Sequence, residues 1–180
     1  RIVDIVGERF DAAIRIGNLA DSRLVATRLC DQYRLLCASS SYLERHEAPD
    51  RPADLVRHNC LGYTGLLDFP QWRLVQSAGK KVASVAESVR VSGSILSNDN
   101  EALLHAAIKG VGIIAGSDWH LMPSIHAGEL VRILPQWTLG EAGGIYLLRP
   151  SGQYNTGAMK AFKQWVTEAF AAAPWRPSDR

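Results

Sequence analysis

The sequence predicts an α/β fold with parallel strands, arranged in two lobes. Strand-like runs alternate with helical ones over short connections. A group of antiparallel strand patterns interrupts that alternation between residues 72 and 91, and Gly143-Gly144 punctuates the later part of the chain. The interruption and the glycine pair point to two lobes.

Composition sets the limits. Apolar residues make up 47% of the 180, enough for a core and too many for a disordered chain. The 20 Lys and Arg face 18 Asp and Glu, which leaves a net charge of +2. No stretch concentrates the basic residues, so a nucleic-acid-binding face is not expected in this segment. No uninterrupted apolar run of about 18 residues is present, so no membrane span is expected. Cys30, Cys37 and Cys60 are odd in number and irregular in spacing, which is no disulfide framework. They read as reduced, buried thiols and fit a cytoplasmic compartment. Arg1-Ile2-Val3-Asp4 carries charge where the apolar run of a secretion signal would lie. The chain opens without methionine and inside a helical pattern, and is expected to be part of a longer protein.

In chain order, residues 1–9 fit the end of an amphipathic helix. Residues 10–16 read as a strand stopped by Gly17-Asn18, and 24–30 as a second strand. Residues 33–38 form a continuous apolar run of the kind buried in a parallel sheet. Ser39, Ser40 and Ser41 offer a cap to a short helix at 42–46. Pro49 and Pro52 break it, and Pro52 suits the first turn of a helix at 53–57. A strand follows at 59–64, then antiparallel strands at 72–76, 82–85 and 89–91 around a polar turn at 77–81. Asn98 with Glu101 forms a capping-box-like start to a helix that Gly110 stops. Residues 112–115 form a strand, 119–126 a short helix, 130–134 a strand and 145–148 a buried strand. The longest helix spans 155–172, with Ala158, Met159, Phe162, Trp165, Val166 and Phe170 near 3.6 spacing.

Few residue patterns point to chemistry. Gly110-Val111-Gly112-Ile113-Ile114-Ala115-Gly116 has the wrong order for a dinucleotide site, because its helix precedes the glycines and its strand follows them. His46, His58, His105, His120 and His126 show no zinc spacing. Gly116-Ser117-Asp118 lacks the flanks of a nucleophile elbow. Neither an enzyme nor a cofactor or metal site is expected. Helix starts are more informative. Asn98-Asp99 and Ser117-Asp118 precede helices whose N-terminal N–H groups bind anions, or are capped by these same side chains. Arg15 ends a strand beside Gly17, where a guanidinium clamps a carboxylate or pairs with a surface acid.

The ordered series Phe10-Asp11-Ala12-Ala13-Ile14-Arg15-Ile16-Gly17, Asp21-Ser22-Arg23-Leu24-Val25-Ala26, Leu36-Cys37-Ala38-Ser39, Pro52-Ala53-Asp54-Leu55 and His58-Asn59-Cys60-Leu61 resembles the effector-binding domain of LysR-type transcriptional regulators. Val91-Ser92-Gly93, Asn98-Asp99 with Glu101-Ala102-Leu103, Gly110-Val111-Gly112-Ile113 and Gly128-Glu129-Leu130-Val131 with Leu134-Pro135 continue it. The resemblance implies a two-lobe fold like type 2 periplasmic binding proteins, with a small-molecule cleft between the lobes. Residues 1–31 with 143–180 would form one lobe and 32–142 the other, with Gly143-Gly144 at the second crossover. It implies a small polar or carboxylate effector met by Arg15, Ile16, Gly17, Tyr63, Thr64, Gly65, Asn98, Asp99 and Ser117. It implies a homodimer or homotetramer, and DNA binding only through a helix-turn-helix domain absent from this chain. The first strand, first helix and second strand of the first lobe are absent too, which would leave apolar surface exposed. An extracytoplasmic solute-binding protein of a transporter is the alternative on the same fold.

Overall fold

The computed structural model describes residues 7, 10–17, 24–65, 69–76, 85–151 and 156–172. In chain order the described elements are β1 (Ala13–Gly17), β2 (Leu24–Gln32), β3 (Arg34–Ala38), α1 (Ser40–Leu43), a 3₁₀ helix (Pro52–Arg57), β4 (Cys60–Tyr63), β5 (Gln71–Gln76), β6 (Ala86–Arg90) and β7 (Leu96–Ser97). Then come α2 (Asn100–Ile108), β8 (Ile113–Ser117), α3 (Asp118–His126), β9 (Val131–Ile133), β10 (Trp137–Leu139), β11 (Gly143–Pro150) and α4 (Gly157–Ala171). They fall into two compact units, Arg1–Gln32 with Ala142–Arg180, and Tyr33–Glu141.

The first unit holds a sheet of order β1-β11-β2 in which both pairings are antiparallel. The expectation of parallel strands fails here for a topological reason. β1 and β2 do run the same way, but β11 is inserted between them in the opposite direction, and local patterning does not encode a partner's direction. Ile14 pairs with Leu147 and Ile16 with Ile145, so these four side chains leave one face of the sheet. Leu29, Cys30, Ile145 and Leu147 pack there against Val166 of α4. Ile14, Ile16, Phe162 and Trp165 stay exposed, Trp165 at 63%. Only Val166 of α4 is buried, although its apolar stripe predicts a wider buried face.

In the second unit the sheet order is β7-β4-β8-β3-β9. β4 runs parallel to β7 and β8, while β3 is antiparallel to β8 and β9. The apolar run at 33–38 is therefore buried on both faces, as expected, but not by parallel pairing. Leu36, Cys60, Ile113 and Ala115 face a second sheet of order β10-β5-β6 and meet its Trp72, Leu74 and Leu139. Leu35, Cys37, Leu61 and Ile114 face α2 and α3 and meet Leu103, Ala107 and Leu121. Alternate residues of each strand thus enter alternate cores. Close backbone approach sets two glycines. A Cβ on Gly93 would collide with the Cys60 carbonyl, and one on Gly112 with the Asn59 carbonyl. Hydrogen bonds from Cys60 N to Ser92 O and from Ile113 N to Asn59 O, both 2.8 Å, run through these points.

Several local expectations shift. Asp99, not Asn98, caps α2: its Oδ1 accepts from Glu101 N at 2.9 Å and Ala102 N at 3.3 Å. Ser39 caps α1, whose helix starts two residues before the predicted 42. Residues 10–12 stay outside β1. Gly143 and Gly144 directly follow the boundary between the units at Ala142, but lie inside β11, where they pair with Gln32 and Asp31. At Gly144 a Cβ would meet the outer end of the Tyr146 ring at 2.6 Å, so that ring would have to move aside. The left-handed glycine next to that crossover is Gly140, at φ +70°. The expected helix at 1–9, the turn at 77–81 and most of the strand at 82–85 lie outside the described residues.

Candidate functional site

In an open α/β sheet the carboxyl ends of parallel strands gather the ligand-binding loops. β7, β4 and β8 are the parallel strands of the second unit, and six of the predicted site residues follow them. Tyr63, Thr64 and Gly65 close β4, Asn98 and Asp99 follow β7, and Ser117 ends β8. Tyr63 stands in register with Ser97, and Thr64 N donates to Ser97 O at 2.9 Å. The Ser97 hydroxyl accepts from Asp99 N at 3.0 Å. Thus the 63–65 loop and the 97–99 turn are held together by hydrogen bonds. The outer end of the Tyr63 ring lies against Gly65 and would have to move to admit a Cβ there.

Ser117 is the N-cap residue of α3, with extended backbone and no side-chain capping bond. The next residue, Asp118, is 7% exposed. Its Oδ1 accepts from Trp119 N at 2.9 Å and its Oδ2 from Tyr33 N at 3.2 Å. Asp118 N in turn donates to Tyr33 O at 2.8 Å. A buried carboxylate thereby fastens the start of α3 to the residue at which the chain enters this unit. The first turns of α2 and α3 also touch: His120 Nε2 donates to Glu101 Oε1 at 2.9 Å. Asp118, His120 and Glu101 escaped sequence reasoning. Asp118 had been weighed only as an alternative cap, and nothing in the spacing of 101 and 120 announces their contact.

These geometries limit what the edge binds. Asp99 already occupies two of the N–H groups of α2, and Asp118 one of those of α3. Both helix starts carry a carboxylate that satisfies the positive end of its own helix. The edge is suited to hydroxyl, amide or amine groups more than to a bare anion.

Arg15, Ile16 and Gly17 lie in the other unit, at the end of β1. Arg15 and Ile16 leave opposite faces of the sheet. Ile16 shares the α4 face with Ile145, whereas Arg15 pairs with Tyr146, itself paired with Arg28. Arg28 stacks 5.9 Å from the Tyr146 ring centre and bonds Asp31 at 2.7 Å. The half-buried Arg15 has no such acid among the described residues. Gly17, at φ +115°, is in a backbone region that L side chains rarely enter.

A sequence profile described as the LysR substrate binding domain matches residues 1–171. The chain belongs to this family. Over 173 residues it is 32% identical to the HTH-type transcriptional regulator PtxR of Pseudomonas aeruginosa, covering 96% of this chain and 53% of that protein. It is 35% identical to the HTH-type transcriptional activator TtdR of Escherichia coli, covering 76% of this chain and 43% of that protein. This LysR-family chain thus spans about half the length of the curated relatives it matches, which are named as regulators and not as enzymes. Among solved structures, the regulatory domain of AphB from Vibrio vulnificus superposes with a TM-score of 0.74 at 27% identity, covering 89% of this chain and 76% of that one. The fold is therefore the two-lobe α/β fold of LysR regulatory domains. Among the described residues, no helix is long and apolar enough to cross a membrane.

Proposed function

We propose that this chain is the effector-sensing part of a cytoplasmic LysR-type transcriptional regulator. Residues 1–31 with 143–180 and residues 32–142 act as its two lobes. The effector is a small polar metabolite met by the loops that follow β4, β7 and β8. The single observation that carries this reading is the shared edge of β7, β4 and β8, where hydrogen bonds join the Tyr63–Gly65 loop to the turn at Asn98–Asp99 and Ser117 ends the neighbouring β8. Hydroxyl, amide or amine groups of the effector meet this edge. Arg15 at the end of β1, which pairs with no acid among the described residues, is the candidate partner for an effector carboxylate. The whole protein binds DNA through a helix-turn-helix segment outside these 180 residues and assembles as a homodimer or homotetramer. The effector acts by binding one arrangement of the assembly more tightly than another. The relatives named above are regulators, which favours this reading over a transport receptor.

Thermal-shift screening of the full-length protein against hydroxylated, amino and carboxylate metabolites tests the proposal. The expected result is one chemical class that raises the melting temperature saturably. For a carboxylate hit, Arg15→Ala weakens binding roughly tenfold. For any hit, Thr64→Val and Ser117→Ala weaken it by less. A hit whose affinity ignores all three substitutions, or a broad panel without a hit, overturns the assignment.

A further inference from the structure

We propose a second ligand site in the first unit, between α4 and the β2 side of its sheet, for an organic anion with an apolar body. A cavity of about 400 Å³ lies there, in the size range of small-ligand sites. Its floor is apolar, with the buried Leu147 of β11 and Met159 of α4. Its rim is cationic. Arg149 lies two residues beyond Leu147 on the same face of β11, and Lys160 and Lys163 stand on α4. None of these three side chains makes an ion pair or hydrogen bond among the described residues. Glu168 also reaches the rim, where its carboxylate accepts from Gln164 Nε2 at 2.9 Å; its negative charge offsets one of the three cations and leaves the rim net positive. Thr27, paired with Leu147, adds a hydroxyl.

Three cations that pair with no acid among the described residues, against the single carboxylate of Glu168, leave the rim net positive over an apolar floor, and an anion relieves the repulsion among them. A hydrated inorganic ion would leave the floor bare, whereas an amphipathic carboxylate, sulfonate or phosphate ester uses both features. The lysine stems also lie along apolar surface and extend the floor. This site is distinct from the β7-β4-β8 edge, which lies in the other unit and carries acidic caps.

The test uses the full-length protein with 8-anilinonaphthalene-1-sulfonate, a fluorescent aromatic sulfonate. N-phenyl-1-naphthylamine, which has similar rings and no charge, is the neutral comparison. Sulfonate binding is expected to weaken at least fivefold in both Arg149→Gln and Lys163→Gln and to weaken with added salt, while amine binding is unchanged. In the wild type the sulfonate slows amide exchange in α4. Unchanged sulfonate affinity in either variant, a parallel loss of amine binding, or no exchange protection on α4 overturns the site.

Discussion

Cys37 and Cys60 lie on neighbours of β8 and point into opposite cores. Burial pushes both thiols up to about 12, in the case of Cys37 against the opposing pull of the Arg132 charge. The thiolate is the reactive form, so both remain inert near neutral pH. Native protein treated with iodoacetamide at pH 8 is expected to show neither residue modified by peptide mass, and both modified after unfolding. His58 is buried too, and its Nδ1 meets the Tyr42 hydroxyl at 3.1 Å. Desolvation lowers its pKa, helped by the His46 and Arg57 charges and opposed by Asp54. The unfolded chain therefore takes up the proton first, and the contribution of His58 is lost as pH falls below its ordinary 6.5. Urea midpoints are expected to fall between pH 7.5 and 5.5, with a shallower fall in His58→Gln. Asp118 is the fourth buried titratable residue of this kind. Removing its carboxylate in Asp118→Ala strips acceptors from Tyr33 N and Trp119 N and costs about 2 kcal/mol, read by chemical denaturation. The burial of the thiols was legible from residue type, but that of Asp118 was not, since nothing local marks Asp118 as interior and Asp99 as exposed.

At the scale of elements, helix caps show where local reading is accurate and where it slips. Gly110 as the stop of α2 was legible because a left-handed residue is a local requirement, met at φ +75°. The start of the same helix was read one residue early. Asn98 and Asp99 are both good caps, and only the Ser97 hydroxyl bond to Asp99 N and the pairing of β7 with β4 decide between them. Asp99→Ala is expected to cost about 1 kcal/mol and Asn98→Ala much less, measured as a pair by urea denaturation. Strand direction slipped more widely. β3 and β11 have the apolar content of buried strands, yet pair antiparallel, because apolar content reports burial and not orientation. The loops of the candidate site were legible individually. Their convergence was not, since Tyr63 and Ser97 are far apart in sequence and meet only through parallel pairing.

For the molecule as a whole, the first unit presents Ile14, Ile16, Phe162 and Trp165 to solvent, along with a groove lined by Phe10, Met159 and Phe162. Exposed apolar area of this kind favours association. The isolated 180-residue chain is expected to associate with rising concentration in light scattering, and the double variant Phe162→Gln with Trp165→Gln is expected to associate less. No such area was foreseen from spacing alone, because the stripe on α4 reads the same whether or not a partner covers it.

By itself the sequence determined the α/β class, the family, the positions of most helices and strands, and the loops proposed to meet an effector. Those properties follow from composition, from periods of 2 and 3.6, and from short ordered motifs, all carried by neighbours in the chain. Tertiary structure alone decided the insertion of β11 between β1 and β2, the burial of Asp118 against Tyr33, the His120–Glu101 contact, and the gathering of Arg149, Lys160 and Lys163 around one cavity. Each of these depends on pairing between distant segments, where register and direction are selected by the packing of whole faces.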